Sequence, residues 1–526
     1  MAEANKRDSG VTDGGAARAH NAAAHFIDRH LAEGRAGKIA IIDDAGAYSY
    51  AELAARVNRA GNALKNLGVS AGDRVMLAML DGIDFAAIFW GAIKIGATPV
   101  PVNTLLAPED YEYLLRDSAA TALCVSHPLR DRLGPAIAAN PHPPITIVSG
   151  GIAPGAYRFD ELASDADDRL SAAPARSDAI AFWLYSSGST GRPKAVTHRH
   201  GSLLQTAVLY AEPVLGIEAG DVCFSASKMF FAYGLGNAMT FPLHAGATAV
   251  LMAERPTPAA VMRTLRVRQP TIFFGVPTLY AGILADGENS RATGSRRLRI
   301  CTSAGEALPA AVAERWRERF GAEILDGIGS TEALHIFISN RAGSVRSGST
   351  GRPVEGYEVE LRDEAGGLVA GAGMGDLWVR GPSIGAGYWN NPEATARTFA
   401  HGWLRTGDKY RRDAEGYYYF AGRADDMLKV GGIWVSPFEV ESALAAHPEV
   451  LEAAVVGGED ADRLIKPKAY VVLKDRSRAS PAIAEELKEF VKGRLAPYKY
   501  PRWIEFREAL PRTATGKLKR YELTRG

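Results

Sequence analysis

Over residues 36–175 the chain alternates short apolar runs with amphipathic stretches. Residues 38–43 (KIAIID) read as a strand, and 50–67 carry apolar positions at helical spacing. Residues 74–80 (RVMLAML) read as a second strand and 86–96 as a helix that stops at a glycine, followed by a strand at 98–102 and a helix at 109–117. Short apolar runs bounded by turn residues suit strands, and apolar positions every three or four residues suit helices. Their alternation implies parallel α/β layering, and it resumes at 271–276, 298–302 and 323–326. After about residue 345 the pattern changes. Segments 358–362, 375–379 and 417–421 read as antiparallel strands between Gly-rich turns. The last hundred residues change again: helices at 437–446 and 482–495 with strands at 451–456 and 468–473 form a compact α+β unit, joined near 422–426. The expected fold is therefore α/β: a large N-terminal domain of layered α/β subdomains with a β-rich subdomain (26–424), and a small α+β C-terminal domain (425–526).

Length supports this division, since 526 residues exceed the roughly 250–300 that one core holds. The formal charge of +1 gives no field that favours nucleic acid or an anionic membrane. Runs such as 85–93 and 179–185 are too short to span a bilayer. Residues 1–25 are polar and Ala/Gly-rich without a signal-peptide apolar core, and read as a frayed end. Cys124, Cys223 and Cys301 are an odd set without CxxC spacing. That argues against a disulfide framework or zinc site and suits a reducing, cytoplasmic setting.

The strongest chemical signal is Tyr185-Ser186-Ser187-Gly188-Ser189-Thr190-Gly191-Arg192-Pro193-Lys194, which follows an apolar strand at 179–184. Gly188 and Gly191 let backbone N–H groups approach an anion, Ser186, Ser187, Ser189 and Thr190 add hydroxyls, and Lys194 adds a charge, as a polyphosphate requires. The spacing is not that of a Walker A loop. The bland alternative is a Ser/Gly linker, which has no reason to follow a buried strand and end in Pro-Lys.

This loop resembles the signature of the adenylate-forming superfamily: acyl-CoA synthetases, luciferases and peptide-synthetase adenylation domains. The resemblance extends from about residue 36 to 520, and further motifs stand in the family's order. In Asp326-Gly327-Ile328-Gly329-Ser330-Thr331-Glu332 it implies that Glu332 ligates Mg²⁺, Thr331 contacts a phosphate, and Asp326 and Gly327 lie near adenine. Alone, the segment reads equally as a turn with a helix cap. Ser303-Ala304-Gly305-Glu306 is expected to border adenine and the acyl group, or is a plain helix start. Trp403-Leu404-Arg405-Thr406-Gly407-Asp408 supplies a carboxylate for the ribose hydroxyls, though a lone TGD is more often a turn. Gly422-Arg423-Ala424-Asp425 resembles the hinge, with Arg423 reaching ribose or phosphate and Asp425 as pivot; Lys429, Gly431 and Gly432 line the thiol's path. Lys517, in Pro511-Arg512-Thr513-Ala514-Thr515-Gly516-Lys517, is the implied catalytic lysine, with Thr190 and Glu332 as catalytic partners. Without the other motifs it would be one cation of a solvated basic tail.

The implied reaction is ATP- and Mg²⁺-dependent activation of a carboxylic acid as acyl-AMP, then transfer to coenzyme A. The stretches 230–237 and Leu334-His335-Ile336-Phe337 are similar to benzoate-CoA ligases in particular, as are 253–257 and Tyr388-Trp389-Asn390-Asn391. Phe231, Ala232, Tyr233, Ala304, Gly329, His335 and Ile336 are the implied substrate residues, of the small, aromatic or apolar types that a ring pocket needs. His335 reads equally as a core histidine. Ala232 stands where amino-acid-activating members carry an aspartate, which weighs against an α-amino acid. Ala195 and Ala333 depart from the pattern, and the smaller Ala333 suggests room for a ring substituent. Rival readings are loading of a carrier protein, a CoA ligase for a non-aromatic acid, a non-catalytic relative and luciferase-like oxidation. A homodimer, and a lysine acetyltransferase/deacetylase pair acting on Lys517, are further expectations.

Overall fold

The computed structural model describes residues 20–186, 192–430, 433–460, 463–512 and 518–524. Among these residues the parallel layering takes the form of two sheets. One has five parallel strands in the order Thr98–Pro101, Arg74–Ala78, Ala122–Ser126, Ile145–Ser149, Tyr157–Arg158. The other has nine strands. Its parallel centre runs Glu323–Gly329, Ile300–Ser303, Ile272–Gly275, Val222–Ser225, Thr248–Val250, Ile39–Ile42. Antiparallel strands flank it, Ala47–Ser49 on one side and Ile336–Ser339 with Arg352–Pro353 on the other.

The helix Ile83–Lys94 is buried along nearly its whole length, as a helix apolar all round must be. It packs on Tyr50–Asn66, which starts at a capping box: Glu52 N–H donates to Ser49 Oγ and Ser49 N–H to Glu52 Oε2. The two helices touch through glycines, since a Cβ on Gly91 would lie 2.8 Å from Gly61 N. Lys94 ends the buried helix and is 1% exposed. A buried ammonium is tolerated only when paired; this one donates to Asp28 Oδ1 (2.5 Å) and Asn58 Oδ1 (2.7 Å).

The β-rich part matches the antiparallel expectation. Glu358–Arg362 pairs with Gly373–Arg380, that strand with Trp403–Arg412, and the last with Tyr418–Arg423. The following strand, Leu428–Val430, pairs with Ile433–Val435 instead, and the C-terminal core gathers on Val450–Glu459, Ile465–Leu473 and the helices Pro437–Ala445 and Pro481–Lys492. Contacts between this small unit and the large one include Arg512 to Glu306 (2.9 Å), Trp434 Nε1–H to Glu364 Oε1 (2.9 Å) and Phe438 edge-on to Phe420 (5.6 Å between centroids). No described helix is long and apolar enough to cross a membrane.

Candidate active site

A β-hairpin carries seven of the predicted residues: Asp326, Gly327, Gly329, Thr331, Glu332, His335 and Ile336. Glu323–Gly329 and Ile336–Ser339 pair antiparallel, with Gly327 opposite Ser339 and Gly329 opposite Ile336. The pairing is tight enough to demand glycine, because a Cβ on Gly329 would sit 2.4 Å from His335 O and one on Gly327 2.9 Å from Ile336 Cγ2. Asp326 is buried in the first strand, and its Oδ1 has no hydrogen-bond partner among the described residues. Burial pushes its carboxyl well above the ordinary range, against the opposing amides of Leu308 and Gly327 and the Ser303 hydroxyl. Thr331 and Glu332 sit in the turn after it. Tyr388 O–H donates to Glu332 Oε1 (2.8 Å), and the Lys194 ammonium lies 4.9 Å from the centre of the Tyr388 ring.

Ser186 ends the strand Ile180–Ser186 and pairs with Lys194, the first residue of Lys194–Arg199. Ser187, Gly188, Ser189, Thr190 and Gly191, which join these strands, lie outside the described residues, as do Gly431, Gly432 and Lys517. The joint is fixed at both ends from the helix Pro108–Ser118. Tyr185 O–H donates to Asp117 Oδ2 (2.7 Å), and Tyr113 O–H donates to Pro193 O (3.1 Å). Trp389 Nε1–H adds a bond to Asp117 O (3.2 Å) and its ring lies on Trp183, with centroids 4.5 Å apart. Ala195 is buried and its carbonyl accepts Trp389 N–H (2.9 Å).

Ala304 is buried beside the Ile300–Ser303 strand end, and Gly305 follows with φ +93° in a left-handed turn. Glu306 meets Arg512 of the small unit. Asp408 and Arg423 face each other across neighbouring strands at 2.8 Å, next to Gly407, which takes a φ of +76° within the strand Trp403–Arg412. Asp425 lies in the single turn Ala424–Asp426. Lys429 is exposed, its ammonium 5.3 Å from the Trp434 ring centre.

Two of the predicted substrate residues, Ala232 and His335, line a small cleft together with Leu203, Thr206, Gly236 and Leu334, among others; Phe231, Tyr233, Ala304, Gly329 and Ile336 do not line it. Phe231 caps the helix Ala232–Leu235, which continues into a wider π-helical turn, Gly236–Thr240. Gly236 is required there, since a Cβ would lie 2.5 Å from His335 Cδ2. His335 Nε2–H donates to Asn237 Oδ1 (3.1 Å), and its ring packs edge-on against Phe241 (4.4 Å). Burial lowers His335 to about 3, so the ring is neutral at physiological pH. Tyr233 meets Thr302 Oγ1 at 2.6 Å, and Ile336 is buried behind the hairpin. Ala333 is fully buried, in the same apolar cluster as Ala304, Ile336 and Phe337. Sequence reasoning did not single out Tyr388, Asp117 or Asn237 as site residues. Tyr388 and Asn237 lay within quoted motifs, but Asp117 carries no local signal, because its role depends on a strand 68 positions away.

The AMP-binding enzyme family matches residues 28–389, and the AMP-binding enzyme C-terminal domain matches 439–517. The chain is 57% identical over 506 residues to the benzoate–CoA ligase of Thauera aromatica, covering 96% of this chain and 95% of that protein. It is 49% identical to the 4-hydroxybenzoate–CoA/benzoate–CoA ligase of Rhodopseudomonas palustris, covering 96% and 94%. Its fold superposes on a benzoate CoA ligase from Burkholderia xenovorans LB400 with a TM-score of 0.89 at 51% identity, covering 96% and 99%.

Proposed function

The chain belongs to the AMP-binding enzyme family, and from that premise we propose that it activates benzoate, or a ring-substituted benzoate, with ATP and transfers the acyl group to coenzyme A. The observation that carries this reading is the hairpin around Asp326, Glu332 and His335. It carries the buried, neutral His335 and, on the same strands and turn, two carboxyl groups suited to nucleotide and cation.

In this reading the acid's ring lies among Phe231, Ala232, Tyr233, Ala304, Gly329, His335 and Ile336. Asp326 accepts from the adenine amino group, a role its unpartnered buried oxygen suits. Asp408 and Arg423 hold the ribose. Ser186, Lys194 and the loop between them cradle the phosphates. A bound Mg²⁺ would neutralise charge on the phosphates. Glu332 would hold it with Thr331 beside it.

The carboxylate attacks the α-phosphorus, pyrophosphate leaves, and Lys517 offsets charge on the equatorial oxygens. The CoA thiol then attacks the acyl carbon and AMP leaves, so no protein nucleophile is needed. The two steps need different surroundings. We propose that the small domain from residue 425 onward turns about Asp425 between them, withdrawing Lys517 and presenting Lys429, Gly431 and Gly432 to the thiol path. Cytoplasmic location, a homodimer and silencing by acetylation of Lys517 belong to the same proposal; buried free thiols at all three cysteines suit the first, and loss of a catalytic charge suits the last.

The test is AMP and thioester formation from ATP, Mg²⁺, CoA and a panel of benzoate, hydroxy- and aminobenzoates, cyclohexanecarboxylate, medium-chain fatty acids and amino acids. Turnover confined to aryl acids is expected. Turnover of fatty acids alone overturns the substrate class. Acid-dependent exchange of pyrophosphate into ATP without thioester formation would replace CoA by a carrier protein as acceptor.

A further inference from the structure

The segment from Ile384 to Trp389 runs between the strand Lys194–Arg199 and the predicted cation carboxylate, Glu332. Its backbone is tied to both sides. Gly385 N–H donates to Glu332 O (2.8 Å), while Ala386 N–H donates to Thr197 O (2.8 Å) and Trp389 N–H to Ala195 O (2.9 Å). Tyr388 pairs with Val196 as the third strand of the phosphate-loop hairpin. Its side chain repeats this bridging in polar form, with the hydroxyl on Glu332 Oε1 at 2.8 Å and the ring face 4.9 Å from the Lys194 ammonium. The ring is held from behind by Phe399, at 5.4 Å edge to face, and the Tyr388 N–H donates to Thr395 Oγ1 (2.9 Å).

We propose that Tyr388 is a positioning residue that orients Glu332 for the cation and Lys194 for the phosphates at once, its hydroxyl serving the first and its ring the second. The inference rests on the reading of Glu332 as the cation's carboxylate. A carboxylate free to rotate pays an ordering cost when it binds a hard cation; a hydroxyl on one oxygen removes much of that freedom beforehand. A lysine ammonium on a flexible stem gains in the same way from a ring face, which attracts it without supplying a competing anion.

The two halves are separable in the full-length protein. Tyr388→Phe keeps the ring and loses the hydroxyl, whereas Tyr388→Leu loses both. The measurement is ATP binding by calorimetry, first without metal and then at fixed ATP with increasing Mg²⁺, alongside thermal unfolding. For Tyr388→Phe we expect metal-free ATP affinity within twofold of wild type, and roughly tenfold more Mg²⁺ for half-maximal tightening, the scale of a lost charge-assisted hydrogen bond. Tyr388→Leu should in addition weaken metal-free ATP binding several-fold. An unchanged Mg²⁺ titration in Tyr388→Phe overturns the inference. So does equal weakening of metal-free binding by both variants, or loss of the cooperative unfolding transition in the Phe variant, either of which would make Tyr388 a packing residue. Wild-type protein that binds Mg·ATP but makes no aryl thioester would defeat the proposed function instead, so the two failures are distinct.

Discussion

The two ends of the site are built on different principles. At the phosphate end the anchors are polar and mutually satisfied: Tyr185 on Asp117, Tyr113 on Pro193, Tyr388 on Glu332, Arg423 on Asp408. At the acyl end the anchors are steric. Gly236 and Gly329 admit His335 and its backbone to distances that no Cβ allows, and a single hydrogen bond to Asn237 fixes the ring. Directional bonds suit a site that must place charges on a flexible polyphosphate, and close packing suits one that must fit a rigid ring. The phosphate end should therefore lose rate when a charge goes, and the acyl end should lose both fit and stability when volume is added.

The largest expected effect lies at the phosphate end. Lys517→Ala, or protein acetylated at Lys517, should lose about 10²–10³-fold in adenylation, the scale of removing one group that stabilises transition-state charge. Thioester formation from preformed aryl-adenylate should stay within a few-fold. Stopped-flow assay of each half-reaction separates them, and normal adenylation by the acetylated protein would remove Lys517 from the mechanism. Next is Gly329→Ala, whose Cβ would meet His335 O at 2.4 Å. Overpacking of this kind costs about 1–3 kcal/mol, so Tm should fall and KM for benzoate rise tenfold or more while ATP affinity changes little. A variant with weakened ATP binding and an intact benzoate KM would reverse the contrast.

The third prediction concerns pH. Burial lowers His335 and His198 to about 3 and His200 to about 4. Each folded-state value lies below the unfolded value near 6.5, so between them the unfolded chain binds more protons and stability rises with pH. The stabilising difference is complete above about pH 6.5 and is lost as pH falls toward the folded values. His335 alone should account for about 2 kcal/mol between pH 6.5 and 5, at 1.36 kcal/mol per unit. Thermal unfolding across that range should show the decline, and His335→Gln should flatten it; an equally steep profile in the variant would contradict the neutral histidine. The smallest effect is expected from Tyr185→Phe, which leaves Asp117 with one donor fewer. A several-fold rise in KM for ATP with kcat nearly unchanged is the expected result, and a change confined to benzoate would misplace the anchor.

Much of this site was legible in the chain because its parts are local. A strand that ends in serines and glycines before Pro-Lys, or a strand followed by Thr331-Glu332, announces its chemistry within ten residues. The antiparallel strands at 358–362 and 375–379 were equally readable, since period-two alternation needs no partner to be visible. Ile39–Ile42 was visible as a strand, but nothing near it indicates that it joins Thr248–Val250 in the larger sheet while the next parallel strand, Arg74–Ala78, starts the smaller one. Ala333 illustrates the same limit on a finer scale. Its type is plain in the chain, but that it shares one buried apolar cluster with Ala304, Ile336 and Phe337 comes only from the fold.

The sequence by itself determined which residues can do chemistry, which segments are strands or helices, and where the chain changes from layered α/β to antiparallel β to a small α+β unit. Those properties follow from side-chain type and short-range periodicity, which are written residue by residue. Only the tertiary structure decided that Tyr388 stands between Glu332 and Lys194, that Asp117 holds the strand entering the phosphate loop, and that His335 is buried and neutral against Asn237. These depend on strand pairing and on close approach at glycines between segments far apart in the chain, and the free energy that selects such contacts is that of the whole packed core rather than of any local stretch.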